Sequence, residues 1–284
     1  MTTTIETLVR DTTDTLKDNG YVHGEREASF MVSKAIGQDS AWIISHFENI
    51  ADPEKVVEVE KMVSQRLKGC PLAYILGEQP FLGWKFVADK RGLIPRPETE
   101  LLVEILVKTI KEFKLEDKKF LEIGTGSGPI AISLKKFFPG AAVTATDISD
   151  EALELAEENA KNIQADIDFV EGNLFEPVSG QKFDLIVANL PYVPTERLSF
   201  VSDQILDWEP MIAVEAGEDG LKYIAPFIAE LSNHLETGAI AAIEMWHDHG
   251  DAVKKLSQEH LPNYEVVVEK DLAGFDRYAI FLPL

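Results

Sequence analysis

Apolar residues recur at helical spacing through the first quarter of the chain, then give way to short runs alternating with helical segments. Ile5, Leu8, Val9 and Leu16 fall on one face of a first helix, and Ala28-Ser29-Phe30-Met31-Val32 lies in a second. A later helix opens with Asp52 as N-cap and Pro53 at its first position, and its apolar stripe is Val56, Val59, Met62, Val63 and Leu67. The pattern predicts a small N-terminal helical bundle over residues 1–70. Between 71 and 96 the period changes. Tyr74-Ile75-Leu76-Gly77 and Trp84-Lys85-Phe86-Val87, separated by Pro80 and Gly83, predict a β-hairpin linker. Pro95-Arg96-Pro97-Glu98-Thr99-Glu100 then opens a helix carrying Leu101, Leu102, Ile105, Leu106 and Ile110. Proline and acids are ordinary helix-start chemistry, which leaves Arg96 unexplained.

From residue 118 onward strands are expected near 119–123, 142–146, 167–170, 183–188, 238–244, 264–269 and 277–282, most of them separated by helices. This predicts an α/β domain over 97–284, a doubly wound and mostly parallel seven-stranded sheet with ligands at the carboxyl ends of its strands. The last two strands lie too close for a crossover helix and are expected to be antiparallel neighbours.

The first strand of that sheet runs into Gly124-Thr125-Gly126-Ser127-Gly128. Glycines there let the backbone take positive φ and let a ligand approach the main chain. The spacing is E-x-G-x-G-x-G rather than the G-x-G-x-x-G of dinucleotide sites. Glu122, at the strand end, suits a cationic amino-acid head group better than a pyrophosphate, which favours S-adenosylmethionine over NAD. Asp147 ends the second strand about twenty residues on, where a carboxylate accepts from ribose hydroxyls. Asn173 and Leu174 follow the third strand; they are candidates for the adenine amine and ring, although an ordinary turn asparagine fits the position as well.

Asn189-Leu190-Pro191-Tyr192 follows the fourth strand, Phe183–Ala188. An –NH₂ group has two donors, so orienting it takes two acceptors in its plane. Asn189 offers a side-chain oxygen and Leu190 a backbone carbonyl. Pro191 disfavours a helical Leu190 and so turns that carbonyl outward, and Tyr192 supplies an aromatic face. Alone, this stretch reads as a turn in which Asn and Pro break the chain. Paired with an upstream glycine loop, it reads as a site that aims an amide or amine lone pair at a methyl donor, with no metal required.

Composition narrows the choice. Forty-nine acidic against 27 basic residues give a net charge of −22, which disfavours nucleic acid, whose non-specific binding rests on Lys and Arg. One cysteine, Cys70, excludes an internal disulfide and a cysteine-built zinc site. His247 and His249, at i, i+2 spacing around Asp248, read as a solvated loop rather than a metal site. Without a membrane-length apolar stretch or the blocks of a secretory signal near Met1, a cytosolic protein is expected.

These segments resemble the HemK family of protein-(glutamine-N5) methyltransferases, which modify the Gly-Gly-Gln loop of peptide-chain release factors. Residues 66–77 are similar to the family's interdomain hairpin. Leu93–Glu100 is similar to its signature helix start, and Gly124–Gly128, Asp147 and Asn189–Tyr192 to its cofactor and substrate sites. Asp219-Gly220-Leu221, Asp271–Gly274 and Asp276-Arg277 are similar to later segments. The resemblance implies a class I S-adenosylmethionine-dependent methyltransferase fold, a helical domain that docks a release factor, and S-adenosylmethionine as cofactor. It places Glu122, Gly124, Thr125, Gly126, Ser127, Gly128, Asp147, Asn173, Leu174 and Asn189 at the cofactor, and Asn189, Leu190, Pro191 and Tyr192 at the reaction. A monomer without stable nucleic-acid or membrane binding is expected. The chain departs from the family at Leu190 (usually Pro), Glu122 and Asn173 (usually Asp), Met211 (commonly Arg) and Trp246-His247. Two alternatives stand beside this reading: an adenine-N6 methyltransferase, since Asn-x-Pro-Tyr suits any planar –NH₂, and a non-catalytic cofactor-binding protein in which Leu190 has abolished turnover.

Overall fold

The computed structural model describes residues 3–284 and divides into two compact units. The first comprises the chain up to Glu78 together with Asp203–Trp208. It holds α1 (Ile5–Asp18), α2 (Gly24–Ile36), α3 (Ser40–Ser45), α4 (Pro53–Arg66) and α5 (Leu72–Leu76). Thr4 caps α1 by accepting from the Thr7 N–H at 3.2 Å, and Asp52 caps α4 by accepting from Glu54 at 2.9 Å. Ile5, Leu8, Met31, Val32, Ile43 and Val59 form its core. Arg66 is buried there; its Nε and Nη2 lie 2.6 and 3.0 Å from the two oxygens of Glu27, and its guanidinium packs 4.3 Å from the Tyr21 ring centre. Val59 and Met62 are buried as the stripe predicts, but Leu67 lies past the end of α4 and is 40% exposed.

The linker also differs from its prediction. Tyr74–Leu76 belongs to α5, which Gly77 ends at φ 69°, and the hairpin is β1 (Glu78–Phe81) with β2 (Trp84–Val87). A short apolar run does not distinguish strand from helix by period alone; here Pro71 precedes Leu72 and Ala73, both strong helix formers. Leu82 and Gly83, at φ 46° and 84°, make the turn. Pro80 is tolerated because β1 and β2 form a two-stranded sheet, in which each is an edge strand.

The second unit spans Gln79–Ser202 and Glu209–Leu284. After α6 (Pro97–Phe113) come β3 (Lys119–Ile123), α7 (Pro129–Phe137), β4 (Ala142–Asp147), α8 (Asp150–Ile163), β5 (Asp168–Glu171) and β6 (Phe183–Ala188). Beyond α9 (Asp203–Trp208), which belongs to the first unit, lie α10 (Ile224–His234), β7 (Leu235–Glu244), α11 (Gly250–His260), β8 (Tyr264–Lys270) and β9 (Asp276–Pro283). The seven strands run in the order β5-β4-β3-β6-β7-β9-β8. The first five are parallel, and β9 is antiparallel to both neighbours, of which the pairing with β8 is the one predicted. β7 begins three residues before its expected start, because exposed Glu236, Thr237 and Gly238 interrupt the apolar signal.

Alternating side chains feed two apolar layers. Phe120, Leu185 and Ile240 join one with Leu102, Leu106, Ile130 and Leu134, while Leu121, Ile186 and Ala241 join the other with Phe227, Ile228 and Val253. Chain direction across the sheet reverses at β3, whose neighbours are β4 and β6. A cleft is expected outside the carboxyl ends at such a switch point, and the glycine and Asn189 loops both sit there.

Candidate active site

A cleft opens at these strand ends, the place where an open α/β sheet binds its ligand. Its wall includes Glu122, Gly124, Thr125, Gly126, Ser127, Asp147, Asn173, Leu174, Asn189, Leu190 and Pro191. Of the residues expected at the site, Gly128 and Tyr192 are not part of that wall among the described residues.

Backbone geometry explains the glycines. Gly124, Gly126 and Gly128 have φ of 73°, 56° and 87°, values that cost an L-residue about 1–2 kcal/mol. A Cβ at Gly124 would lie 2.8 Å from Leu190 Cδ2, and one at Gly128 2.8 Å from Ile132 Cδ1. Gly128 thus serves the close packing of α7 behind the loop. The Gly124 and Thr125 N–H groups donate to the Thr146 carbonyl at 2.8 and 2.9 Å, which pins the loop to β4. Ser127 donates to the Leu93 carbonyl, and buried Asn159 donates to the Ser127 carbonyl at 3.0 Å, so the serine is a structural tether. Asn159 also takes the Val87 N–H at 2.6 Å, tying the loop to β2.

Glu122 shares the face of Phe120 and so lies beneath α7. One of its oxygens, Oε2, accepts from the Thr125 hydroxyl at 2.7 Å and from the Ala131 N–H at 2.8 Å. Burial nevertheless pushes its pKa up to about 8. Asp147 receives the Gly126 N–H at 2.8 Å on one oxygen and the Ser149 N–H at 3.0 Å on the other. Burial raises its pKa too. A carboxylate has about four acceptor positions, so Asp147 keeps capacity for ligand hydroxyls. Asn173 is exposed and Leu174 half-buried at φ 46°, both at the lip of the cleft.

The Asn189 loop is held by side chains instead. Asn189 Nδ2 donates to Thr99 Oγ1 at 3.1 Å and to Glu244 Oε2 at 3.2 Å. Thr99 Oγ1 donates to the same Glu244 oxygen at 2.9 Å, and the Tyr192 hydroxyl donates to Glu244 Oε1 at 2.8 Å. Glu244 is buried at the end of β7, which raises its pKa, opposed by the Tyr192 and Thr99 hydrogen bonds. Thr99 stands in the first turn of α6, where the preceding carbonyl, Glu98, accepts from the buried Tyr278 hydroxyl at 2.6 Å. The Tyr192 ring lies 6.5 Å from Trp246 and 5.9 Å from the Arg277 guanidinium. Leu190, 7% exposed, packs into the core and over Gly124.

Sequence reasoning missed Glu244 and Thr99 as site residues. A buried acid at the carboxyl end of the strand beside β6 was the available signal. It also left Arg96 unassigned: Arg96 Nη2 lies 2.5 Å from Glu209 Oε1, and the other oxygen of this buried glutamate takes the Ile94 N–H at 3.0 Å. That pair joins two walls of the cleft, since Ile94, Arg96 and Pro210 all line it. The expectation of a solvated histidine loop fails at His249. It is 5% exposed, precedes α11, and pairs through Nε2 with the Asp219 carbonyl at 2.9 Å, because the Asp219-Gly220 turn folds over it. Among the described residues, no group of three or more His, Cys, Asp and Glu could hold a metal ion. Cys70 is buried, which pushes its thiol pKa up and makes it a poor nucleophile.

Residues 97–207 match the family described as Methyltransferase small domain, and residues 7–77 match the PrmC N-terminal domain. The release factor glutamine methyltransferase of Bacillus anthracis is 34% identical over 92% of this chain and 93% of its own length. That of Streptococcus pneumoniae is 38% identical over 82% of each. A solved methyltransferase from Pyrococcus furiosus shares the fold, with a TM-score of 0.52 over 71% of this chain and 89% of that one at 22% identity. The doubly wound sheet is thus a class I methyltransferase fold with S-adenosylmethionine as cofactor, and the chain belongs to the release factor glutamine methyltransferase family.

Proposed function

We infer that this enzyme methylates the side-chain amide nitrogen (N5) of the glutamine in the Gly-Gly-Gln loop of a peptide-chain release factor. The observation that carries the reading is the state of Asn189. Its –NH₂ faces the oxygens of Thr99 and Glu244, so its own oxygen is turned away from them towards a substrate, and that oxygen only accepts. With the Leu190 carbonyl it makes a pair of acceptors, which matches a primary carboxamide.

The cleft fits the cofactor by its open glycine turn: among the described residues, a Cβ at Gly126 would meet nothing within 4 Å. When bound, S-adenosylmethionine supplies a methyl group on positive sulfur, which a nitrogen lone pair displaces to leave a neutral thioether. Glu122 would hold the cationic amino-acid end and Asp147 the ribose hydroxyls, with Asn173 and Leu174 at the adenine. Asn189 and Leu190 would take the two amide protons in plane, which leaves the nitrogen lone pair perpendicular to that plane and directed into the cleft. Rate enhancement then comes from positioning. The new amide keeps one hydrogen; the other leaves as a proton to water.

The helical first unit, which carries the match to the PrmC N-terminal domain, is the part we assign to docking the release factor. The acidic surplus of the chain, −22, supports a protein substrate over a nucleic acid, and a cytosolic site of action is consistent with that substrate. Tritium-labelled cofactor offered with release factor, with plasmid DNA or with neither should label the release factor alone. Label that survives a Gln→Ala change in the Gly-Gly-Gln loop, or label on DNA, would overturn the reading.

A further inference from the structure

We propose that Glu244 is a positioning residue that dictates which way the Asn189 carboxamide faces, and so makes the site an acceptor pair selective for –NH₂. The inference rests on the acceptor role given to Asn189 above. Parallel pairing aligns Val187 with Ala242 and Ala188 with Ile243, so the next residue of each strand, Asn189 and Glu244, emerge side by side at the sheet's carboxyl edge. Glu244 is 2% exposed and accepts from Asn189, Thr99 and Tyr192.

With Glu244 ionised, chemistry fixes the direction of every bond in this cluster. A carboxylate only accepts, so the single Thr99 hydrogen goes to Glu244 Oε2. Thr99 Oγ1 is then an acceptor towards Asn189, and so is Glu244 Oε2. The Asn189 group facing both must be its –NH₂. A flipped amide would set its oxygen against two oxygens that have no hydrogen to offer it, in a setting where unpaired polar atoms are costly. Orientation is therefore set from behind, before any substrate arrives, and the outward atom is Oδ1.

The same carboxylate holds Tyr192 through its other oxygen, so one side chain anchors both ends of the Asn189–Tyr192 loop. This matters because the loop has Leu at 190, where a proline would have stiffened it. A hydroxyl offers one hydrogen and can satisfy only one of the two acceptors; a carboxamide satisfies both. Selection of –NH₂ thus traces to a residue that need not touch the substrate.

The test is a double-mutant cycle on the full-length chain with Asn189→Ala, Glu244→Gln and the combination. It uses steady-state methyl transfer to a release factor and calorimetric binding of S-adenosylhomocysteine. Glu244→Gln replaces an acceptor by a donor at nearly constant shape. We expect it to lower kcat about 30-fold while S-adenosylhomocysteine affinity stays within about threefold. In the Asn189→Ala background the same change should cost less than about threefold, because the group it orients is gone. Equal losses in both backgrounds, or affinity falling in step with kcat, would overturn the proposal. A second readout needs no folded Glu244 variant and no transfer. In the ¹⁵N-labelled wild-type protein, the Asn189 side-chain amide is the one missing from the spectrum of Asn189→Ala. Its two protons should exchange with water at least tenfold more slowly than those of an exposed asparagine. Rapid exchange would refute the clamp. If wild-type protein transfers no methyl to the release factor glutamine, the functional reading falls, whereas the exchange rate still judges the clamp.

Discussion

Two loops meet at the cleft, and they are held in opposite ways. The glycine loop is fixed at its main chain: left-handed φ at alternate residues, hydrogen bonds from the Gly124 and Thr125 N–H groups to Thr146, and the Gly126 N–H and Ser127 carbonyl held by Asp147 and Asn159. The Asn189 loop is fixed by side chains from elsewhere, Thr99 on α6 and Glu244 on β7. The first arrangement suits a cofactor that the backbone must approach closely. The second suits a reacting group, whose polarity has to be set by hydrogen bonds of defined direction. Damage to the two loops should therefore separate binding from turnover.

The largest effect is expected from Asn189→Ala: turnover reduced about a hundredfold or more, as for a lost positioning contact, with cofactor affinity within a few-fold. Steady-state kinetics beside calorimetry would check it, and equal losses in both would mean that Asn189 mainly binds the cofactor. Gly124→Ala should do the reverse. The added methyl meets Leu190 at 2.8 Å on a backbone at φ 73°, so cofactor affinity should fall at least tenfold and stability by about 1–2 kcal/mol in urea titrations. Glu122→Gln tests the buried acid beneath the glycine loop. Its folded pKa of about 8 lies above the ordinary 4.5, so its contribution to stability is complete below 4.5 and is lost as pH rises through 8. Wild-type protein should weaken over that window, and the glutamine variant should weaken less, as read from urea midpoints at several pH values. The smallest effect is reserved for Leu190→Pro, a rise in kcat of about twofold to threefold if main-chain stiffness at that carbonyl helps. A fall would show that Leu190 packing over Gly124 matters more.

The contrast between the loops also explains what could be seen in the sequence. The glycine loop, Asp147 and the positions of the strands announce themselves locally, through spacing and short apolar runs. Ser149 caps α8 by accepting the Ala152 N–H at 3.2 Å, a local signal of the same kind. Glu244 and Thr99 were not legible, because they lie 145 residues apart and meet only when β7 pairs with β6 and α6 packs beside them. Arg96 stood out as unexplained, but its partner Glu209 is 113 residues away. His249 was misjudged for the same reason: its burial depends on the Asp219-Gly220 turn. At Tyr74–Leu76 the failure was of another kind, an apolar run too short for its period to distinguish helix from strand.

We propose that two oxygens of the Asn189 loop grip a glutamine carboxamide. A crystal structure of the enzyme with S-adenosylhomocysteine and a Gly-Gly-Gln peptide addresses it directly. The glutamine Nε2 is expected within about 3 Å of both Asn189 Oδ1 and the Leu190 carbonyl oxygen, with the Asn189 –NH₂ still on Thr99 and Glu244. A glutamine amide bound away from residues 189–190, or an Asn189 oxygen turned back towards Glu244, would contradict it.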